Sequence, residues 1–217
     1  MIVAVFDVDG TMIPGDSLKL FGWYLIRQGC VKLSQCPGVV ASSARYLTGL
    51  SDAGVLKASF LRALLYGTGA SQTSIQADRF AREILIPRMY RRALERVRWH
   101  RERDHRIVLL SASPDLYLCS LADMIGADSL ICTPLALEHG VFRGELAGPN
   151  CKGAEKLRRL IAENSLKGTD RSQSYGYGNS SDDIPFLRAL GHPTAVNPDR
   201  RLKQSAVEYG WKVEHWY

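Results

Sequence analysis

Apolar and polar positions follow two patterns along this chain. Ile2 to Phe6 is an unbroken apolar run rich in β-branched residues, the signature of a strand buried on both faces of a parallel sheet. From Asp16 the pattern turns helical. Asp16-Ser17 can cap a segment carrying Leu18, Phe21 and Leu25 on one face and ending near Gly29. Val39 to Leu50 is a second helical segment. Ser51-Asp52 caps a third, which carries Val55, Leu56, Phe60 and Leu64 and stops at Gly67. Gly67 to Ser74 reads as a polar loop, Ile75 to Leu85 as a fourth helical segment, and Pro87 can open a fifth. Beyond Arg106 strands and helices alternate. Ile107 to Leu110, Ser129 to Cys132, Ser174 to Tyr177 and Thr194 to Asn197 read as strands. Ser111-Ala-Ser-Pro114 ends the first of these and caps a helix running to Gly126. Gly153 to Ala162, Ile184 to Leu190 and Asp199 to Tyr209 read as helices, and residues 135 to 147 as a hairpin around His139-Gly140.

Repeated βα units predict a parallel sheet wrapped by helices, an α/β fold. The helical block that separates the first strand from the second then reads as an insertion. The expected division is a core of residues 1–14 and 100–217 with a helical cap of residues 15–99. Two connections join cap and core, which suits hinged closure over the strand ends.

The chain has 217 residues, 46% of them hydrophobic and 23% charged, which is ordinary for a globular protein with a sizeable core. A net charge of +6 suits anionic substrates and does not by itself indicate nucleic acid. The densest basic stretch is Arg88, Arg91, Arg92, Arg96, Arg98, Arg101, Arg103 and Arg106. It reads as an anion-binding face or as a solvated helix face partly paired with Glu95, Glu102 and Asp104. No aromatic interleaving supports stacking on bases, so no nucleic-acid partner is expected. The cysteines (Cys30, Cys36, Cys119, Cys132, Cys151) are odd in number and lack a Cys-x-x-Cys pair. No disulfide framework or zinc site is therefore expected, and a reducing cytoplasm is the expected home. Acids follow Met1 to Phe6 at once, unlike a signal peptide, and no apolar run approaches the ~20 residues that span a bilayer.

Candidate chemistry starts where the first strand ends. Asp7 and Asp9 point the same way because strand side chains alternate, and Gly10 lets the backbone turn sharply. Carboxylates this close need a cation or a shared proton; Mg²⁺ with a substrate phosphate meets that need. An Asp-Gly turn beside a spare acid is the bland alternative. Ser111 falls at another strand end, with backbone N–H groups at the start of a helix to suit a phosphate, while Ser113 reads as a helix cap. Asn179, Asp182 and Asp183 follow Ser174 to Tyr177. Lys152 and Lys156 both stand at a helix start, where the macrodipole disfavours a cation unless an anion is near.

Asp7-Val-Asp9-Gly-Thr11, Ser111, a helix-start lysine and Gly178-Asn-Ser-Ser-Asp-Asp183 resemble the four motifs of the haloacid-dehalogenase superfamily of phosphatases. The helical insertion after the first motif resembles the branch containing phosphoserine phosphatase. Gly15-Asp16-Ser17, Trp99-His100, Ser111-Ala-Ser-Pro114 and Val196-Asn-Pro-Asp-Arg200 resemble a group of hydrolases within it. The resemblance implies a Rossmann-like core and a Mg²⁺-dependent phosphatase acting on a small phosphorylated metabolite, phosphoserine among the candidates. Phosphoryl transfer to another acceptor, a lipid phosphate, or a weakened phosphate-binding protein of the same fold are the alternatives. By resemblance Asp7 is the nucleophile, Asp9 the acid and base, and Ser111 and Lys156 hold the phosphoryl oxygens. Lys156 fits the family spacing to Asn179 better than Lys152. Asp7, Asp9, Asn179 and Asp183 are the implied metal ligands, and Thr11, Asp16, Ala112 and Asp182 the implied substrate contacts. Position 179 is usually Asp in the family, Gly-Gly usually follows the serine that Ala112-Ser113 follow here, and Asp16 stands where a Glu is usual. Arg45 and Arg62 are the cap arginines that could meet a substrate carboxylate.

Overall fold

The computed structural model describes residues 1–31, 53–163 and 165–217. The expected segment Val39–Leu50, the cap Ser51-Asp52, Cys36 and Arg45 lie outside the described residues. Six parallel strands form one sheet in the order β3-β2-β1-β6-β7-β8. They are β1 (Val3–Phe6), β2 (Arg106–Pro114), β3 (Ser129–Thr133), β6 (Tyr175–Gly178), β7 (His192–Val196) and β8 (Lys212–Glu214). β4 (Leu135–Glu138) and β5 (Val141–Leu146) make a separate antiparallel hairpin. Strand order reverses between β1 and β6, and such a switch point opens a crevice at the carboxyl ends of the strands. β1 runs straight into Asp7 there.

The apolar run in β1 is explained by burial on two sides. Ala4 and Phe6 join one hydrophobic cluster, Val3 and Val5 the other, as period-two alternation demands. The first cluster takes in Phe21, Leu61, Phe80 and Tyr117; the second takes in Leu160, Phe186 and Leu202. Each fully buried Leu or Phe among these contributes about 1.5–3 kcal/mol relative to exposure. Helices Ser17–Arg27, Ala53–Leu65, Ala70–Phe80, Arg91–Arg101 and Asp115–Ile125 lie on the first side, and Ala154–Ala162, Ile184–Leu187 and Arg200–Glu208 on the second.

Four local expectations change. β2 continues to Pro114, which pairs with Thr133 after a register shift, so Ser111-Ala-Ser-Pro114 belongs to the strand. The next helix is capped by Pro114 without a side-chain bond, so Ser113 is no cap. The polar stretch before Ile75 is already helical from Ala70, with Thr73 bonding back to the Gly69 carbonyl at 2.9 Å. That helix passes through a wider π turn at Ala81–Leu85 into Ile86–Arg88. β8 was not visible in the pattern because it is a short edge strand with two charged residues.

The helical block is tied to the rest at several places, among them the hairpin and the sheet. Gly67 N and Ala70 N donate to Phe142 O and Gly140 O at 3.0 and 2.8 Å, so the β4–β5 hairpin bonds to it. Helix Arg91–Arg101 runs through the expected boundary at residue 99 and lies against the sheet, with Val97 and His100 buried. His100 stands edge-on to Phe6 and bonds His105 Nδ1 and Tyr177 Oη at 2.8 Å each. Several of the arginines have acceptors within the chain: Arg91 meets Glu95, Arg96 meets Glu214, Arg101 meets the carbonyls of Ile125 and Gly126, and Arg106 meets Ser129. Among the described residues no helix is long and apolar enough to cross a membrane.

Candidate active site

Asp7 lies at the end of β1, where its N–H donates to the Tyr177 carbonyl of β6 at 2.9 Å. Its side chain is buried. Oδ1 accepts from Lys156 Nζ at 2.6 Å and Oδ2 from Thr11 Oγ1 at 2.8 Å. Lys156, on helix Ala154–Ala162, also donates to Asp183 Oδ1 at 2.6 Å. Two carboxyl groups and one ammonium thus form a buried triad. Burial pushes the Asp7 carboxyl up to about 7, drawn down by Lys156 and up again by the neighbouring charge of Asp183. Burial alone would lower the lysine, but Asp183 and Asp7 outweigh it and hold its ammonium well above the usual range.

Asp9 is held at both oxygens. Oδ1 accepts from the Ser17 N–H at 2.8 Å and Oδ2 from Ser113 Oγ at 2.5 Å. Its carboxyl is raised, chiefly by burial, against the lowering effect of these bonds. Gly10 follows with φ +82°, a conformation few other residues adopt. A Cβ at Gly10 would meet Asn179 Nδ2 at 2.0 Å. The turn after β1 is therefore packed directly against the amide that follows β6.

Asp7, Asp9, Ser111, Lys156 and Asn179 line one cavity of about 700 Å³. Its outer wall comes from the helical block: Leu18, Trp23, Leu56 and Phe60 are apolar, and Asp16 and Lys57 are charged. Phe60 can lean inward because residue 22 is glycine; a Cβ there would meet the ring at 2.4 Å. Lys57 Nζ donates to the Ala112 carbonyl at 2.5 Å and to Asn150 Oδ1 at 2.8 Å. Burial lowers its ammonium to about 8. A second hollow of about 440 Å³, bordered by Tyr175, His192 and Lys212, carries none of these groups.

Of the expected substrate contacts, Asp16 and Asp182 line the cavity. Asp16 also caps its helix through Lys19 N at 3.1 Å, and Asp182 pairs with Lys152 at 3.2 Å. Ala112 lines it too, with its carbonyl turned toward Lys57 and Thr133. Thr11 is fully buried and directs its hydroxyl at Asp7. Lys156, and not Lys152, reaches Asp7. Arg62 lies over the Tyr66 ring and does not line the cavity. Asp183, expected as a metal ligand, does not line the cavity. It is fully buried, its Oδ1 faces Lys156, and its Oδ2 accepts from Asn179 N and Ser180 N at 3.0 Å each. It braces the lysine and the turn that carries Asn179. Sequence reasoning missed Lys57, Asn150 and the contact of Ser113 with Asp9. A lysine inside an amphipathic helix carries no signal of its own, and Ser113 resembles a cap because a helix does begin beyond it.

Among the described residues no cluster of three or more His, Cys, Asp or Glu side chains is arranged to hold a metal ion. Asp7 and Asn179 both line the cavity and offer it a carboxylate and an amide oxygen. Mg²⁺ fits such a sparse oxygen set, because it keeps several waters and takes one or two carboxylates plus substrate phosphate.

Residues 4–188 match the family model of the haloacid dehalogenase-like hydrolases. The chain belongs to that family. Phosphoserine phosphatase SerB1 of Mycobacterium tuberculosis is 26% identical over 97% of this chain and 69% of its own length. A histidinol-phosphatase of Neisseria meningitidis is 26% identical over 97% of both chains. A Bordetella pertussis protein of unknown function superimposes with a TM-score of 0.84 at 25% identity, covering 99% of this chain and 98% of its own. The family match and the relatives named for phosphatase activity make the chain a phosphatase.

Proposed function

We propose that this chain hydrolyses small phosphomonoesters by passing the phosphoryl group first to Asp7 and then to water. The observation that carries the reading is the buried bridge from Lys156 to Asp7 and Asp183 at the floor of a cavity that also holds Asp9 and Ser111. A carboxylate oxygen of Asp7 bonds to phosphorus as the bond to the ester oxygen breaks. The departing electron pair stays on that oxygen, which takes the proton held by Asp9. The raised Asp9 carboxyl supports that starting protonation. Asp9, now a carboxylate, takes a proton from the water that attacks phosphorus, which frees Asp7 and inorganic phosphate. Ser111 Oγ and Lys156 Nζ donate to the equatorial oxygens, where charge is greatest in transfer. Mg²⁺ would be held by the Asp7 carboxylate, the Asp9 carbonyl and Asn179, and would supply positive charge against the phosphoryl oxygens.

In this reading helices Ser17–Arg27 and Ala53–Leu65 form the substrate-facing cover, while Arg91–Arg101 belongs with the core against which it packs. Phosphoserine and histidinol phosphate are the esters that the relatives' names bring forward. The apolar wall of Leu18, Trp23, Leu56 and Phe60 favours a second reading, an ester with a larger apolar body, such as a lipid phosphate. The test of the common reading is phosphate release from p-nitrophenyl phosphate. Turnover should require Mg²⁺ and disappear in Asp7→Asn. Metal-independent turnover, or an Asp7→Asn variant as active as wild type, would sink it.

A further inference from the structure

Three buried hydroxyls stand behind Asp9, each from a different element. Ser17 is the first residue of the helix that opens the cap, Ser113 lies near the end of β2, and Tyr117 sits in the first turns of helix Asp115–Ile125. Their exposures are 0%, 6% and 1%. Tyr117 Oη and Ser17 Oγ are 3.0 Å apart, Ser17 Oγ donates to Ser113 Oγ at 3.1 Å, and Ser113 Oγ donates to Asp9 Oδ2 at 2.5 Å. With each hydroxyl owning one hydrogen, this orders the donors from Tyr117 through Ser17 and Ser113 to Asp9. The Ser17 N–H, a helix-start donor without an intrahelical partner, takes the other Asp9 oxygen at 2.8 Å. The Tyr117 ring is pinned between Phe21 and Phe80 at centroid distances of 5.1 and 5.3 Å.

Buried hydroxyls are costly unless bonded, and here the run of donors terminates at one acid. We infer that Ser113, Ser17 and Tyr117 are positioning residues that fix the plane of the Asp9 carboxyl so that its proton is delivered to the leaving oxygen. The inference rests on the reading above. Without the hydroxyls Asp9 is held at one oxygen alone, by the Ser17 N–H, and its carboxyl can turn about that contact. The step affected is cleavage of the ester bond, in which the oxygen departs with the electron pair and accepts the Asp9 proton. An alkoxide needs that proton far more than a nitrophenolate does.

The experiment compares kcat/KM for ethyl phosphate and p-nitrophenyl phosphate with Mg²⁺ present. This parameter reports events up to the first irreversible step, so the later hydrolysis common to both esters does not mask the difference. Ser113→Ala should lose about thirtyfold on ethyl phosphate, part of the hundredfold or more that general acid catalysis supplies. The loss on the aryl ester should be at least fivefold smaller, and Ser113→Thr should restore most of the difference. Tyr117→Phe removes a single oxygen from a packed ring, and should give a smaller loss with the same bias. It carries the test if Ser113→Ala does not fold. Equal losses on the two esters, or no loss, would overturn the inference and leave the phosphatase reading intact. A wild-type protein inactive on both esters would overturn both.

Discussion

Replacing Lys156 with methionine keeps the aliphatic stem and removes the charge between Asp7 and Asp183. The three side chains are 4%, 7% and 0% exposed, and both contacts are 2.6 Å. Breaking a buried ion pair by removing one partner costs about 3–5 kcal/mol, because the remaining charge loses its compensation. At about 2–4 °C per kcal/mol for a chain of this size, the melting temperature should fall by roughly 10 °C at pH 8 without divalent ions. The sign of the pH dependence follows from Asp7, whose carboxyl already sits at about 7 beside the lysine, against an ordinary 3.8. Without the lysine it holds its proton more tightly still. Between its unfolded and folded values the folded state binds more protons than the unfolded state, so stability falls as pH rises through that window. The gap between Lys156→Met and wild type should therefore be widest at pH 8 and narrow toward pH 5. Thermal unfolding followed by circular dichroism at the two pH values measures it. A loss under about 2 °C at pH 8, or one equal at both pH values, would refute the assignment of Lys156 as the compensating charge.

Asn179→Asp should lower the Mg²⁺ concentration for half-maximal activity about tenfold, equivalent to ~1.4 kcal/mol of binding; a metal titration of phosphate release checks it. Gly10→Ala should raise that concentration and lower stability by about 1–2 kcal/mol, since the new methyl both strains a left-handed backbone and displaces the Asn179 amide. Urea unfolding together with the same metal titration reads both effects. If the apolar wall receives the substrate body, kcat/KM across linear alkyl phosphates should rise about fourfold per methylene, the equivalent of ~0.8 kcal/mol of buried CH₂. Phe60→Ala should flatten that slope.

β1 was legible because both its faces are buried, which leaves a continuous apolar run, and Asp7 and Asp9 stand out as acids directly after it. Lys156 was harder to fix. Two lysines share one helix start; the spacing to Asn179 favours the second by resemblance, and the packing of Ala154–Ala162 brings it to Asp7. The family resemblance implies Asp183 as a metal ligand, but the turn after β6 directs its oxygens to Lys156 and to the main chain of Asn179 and Ser180. Ser113 was hidden because a strand that bends into a helix and a serine that caps one look alike in sequence. The reach of Lys57 to Ala112 and Asn150 is set by how the inserted helices lie across the strand ends, which no local pattern encodes. β8 escaped because an edge strand of three residues, two of them charged, has no apolar period.

In the proposed reaction Asp7 carries the phosphoryl group during turnover. The direct measurement is rapid acid quench with a ³²P-labelled ester and Mg²⁺, followed by peptide mapping of the label. An acid-stable, hydroxylamine-labile phosphate should appear on the peptide containing Asp7, formed and lost at rates that support steady-state turnover, and should be absent in Asp7→Asn. Turnover with no labelled peptide, or with label on Ser111 or any residue other than Asp7, would contradict it.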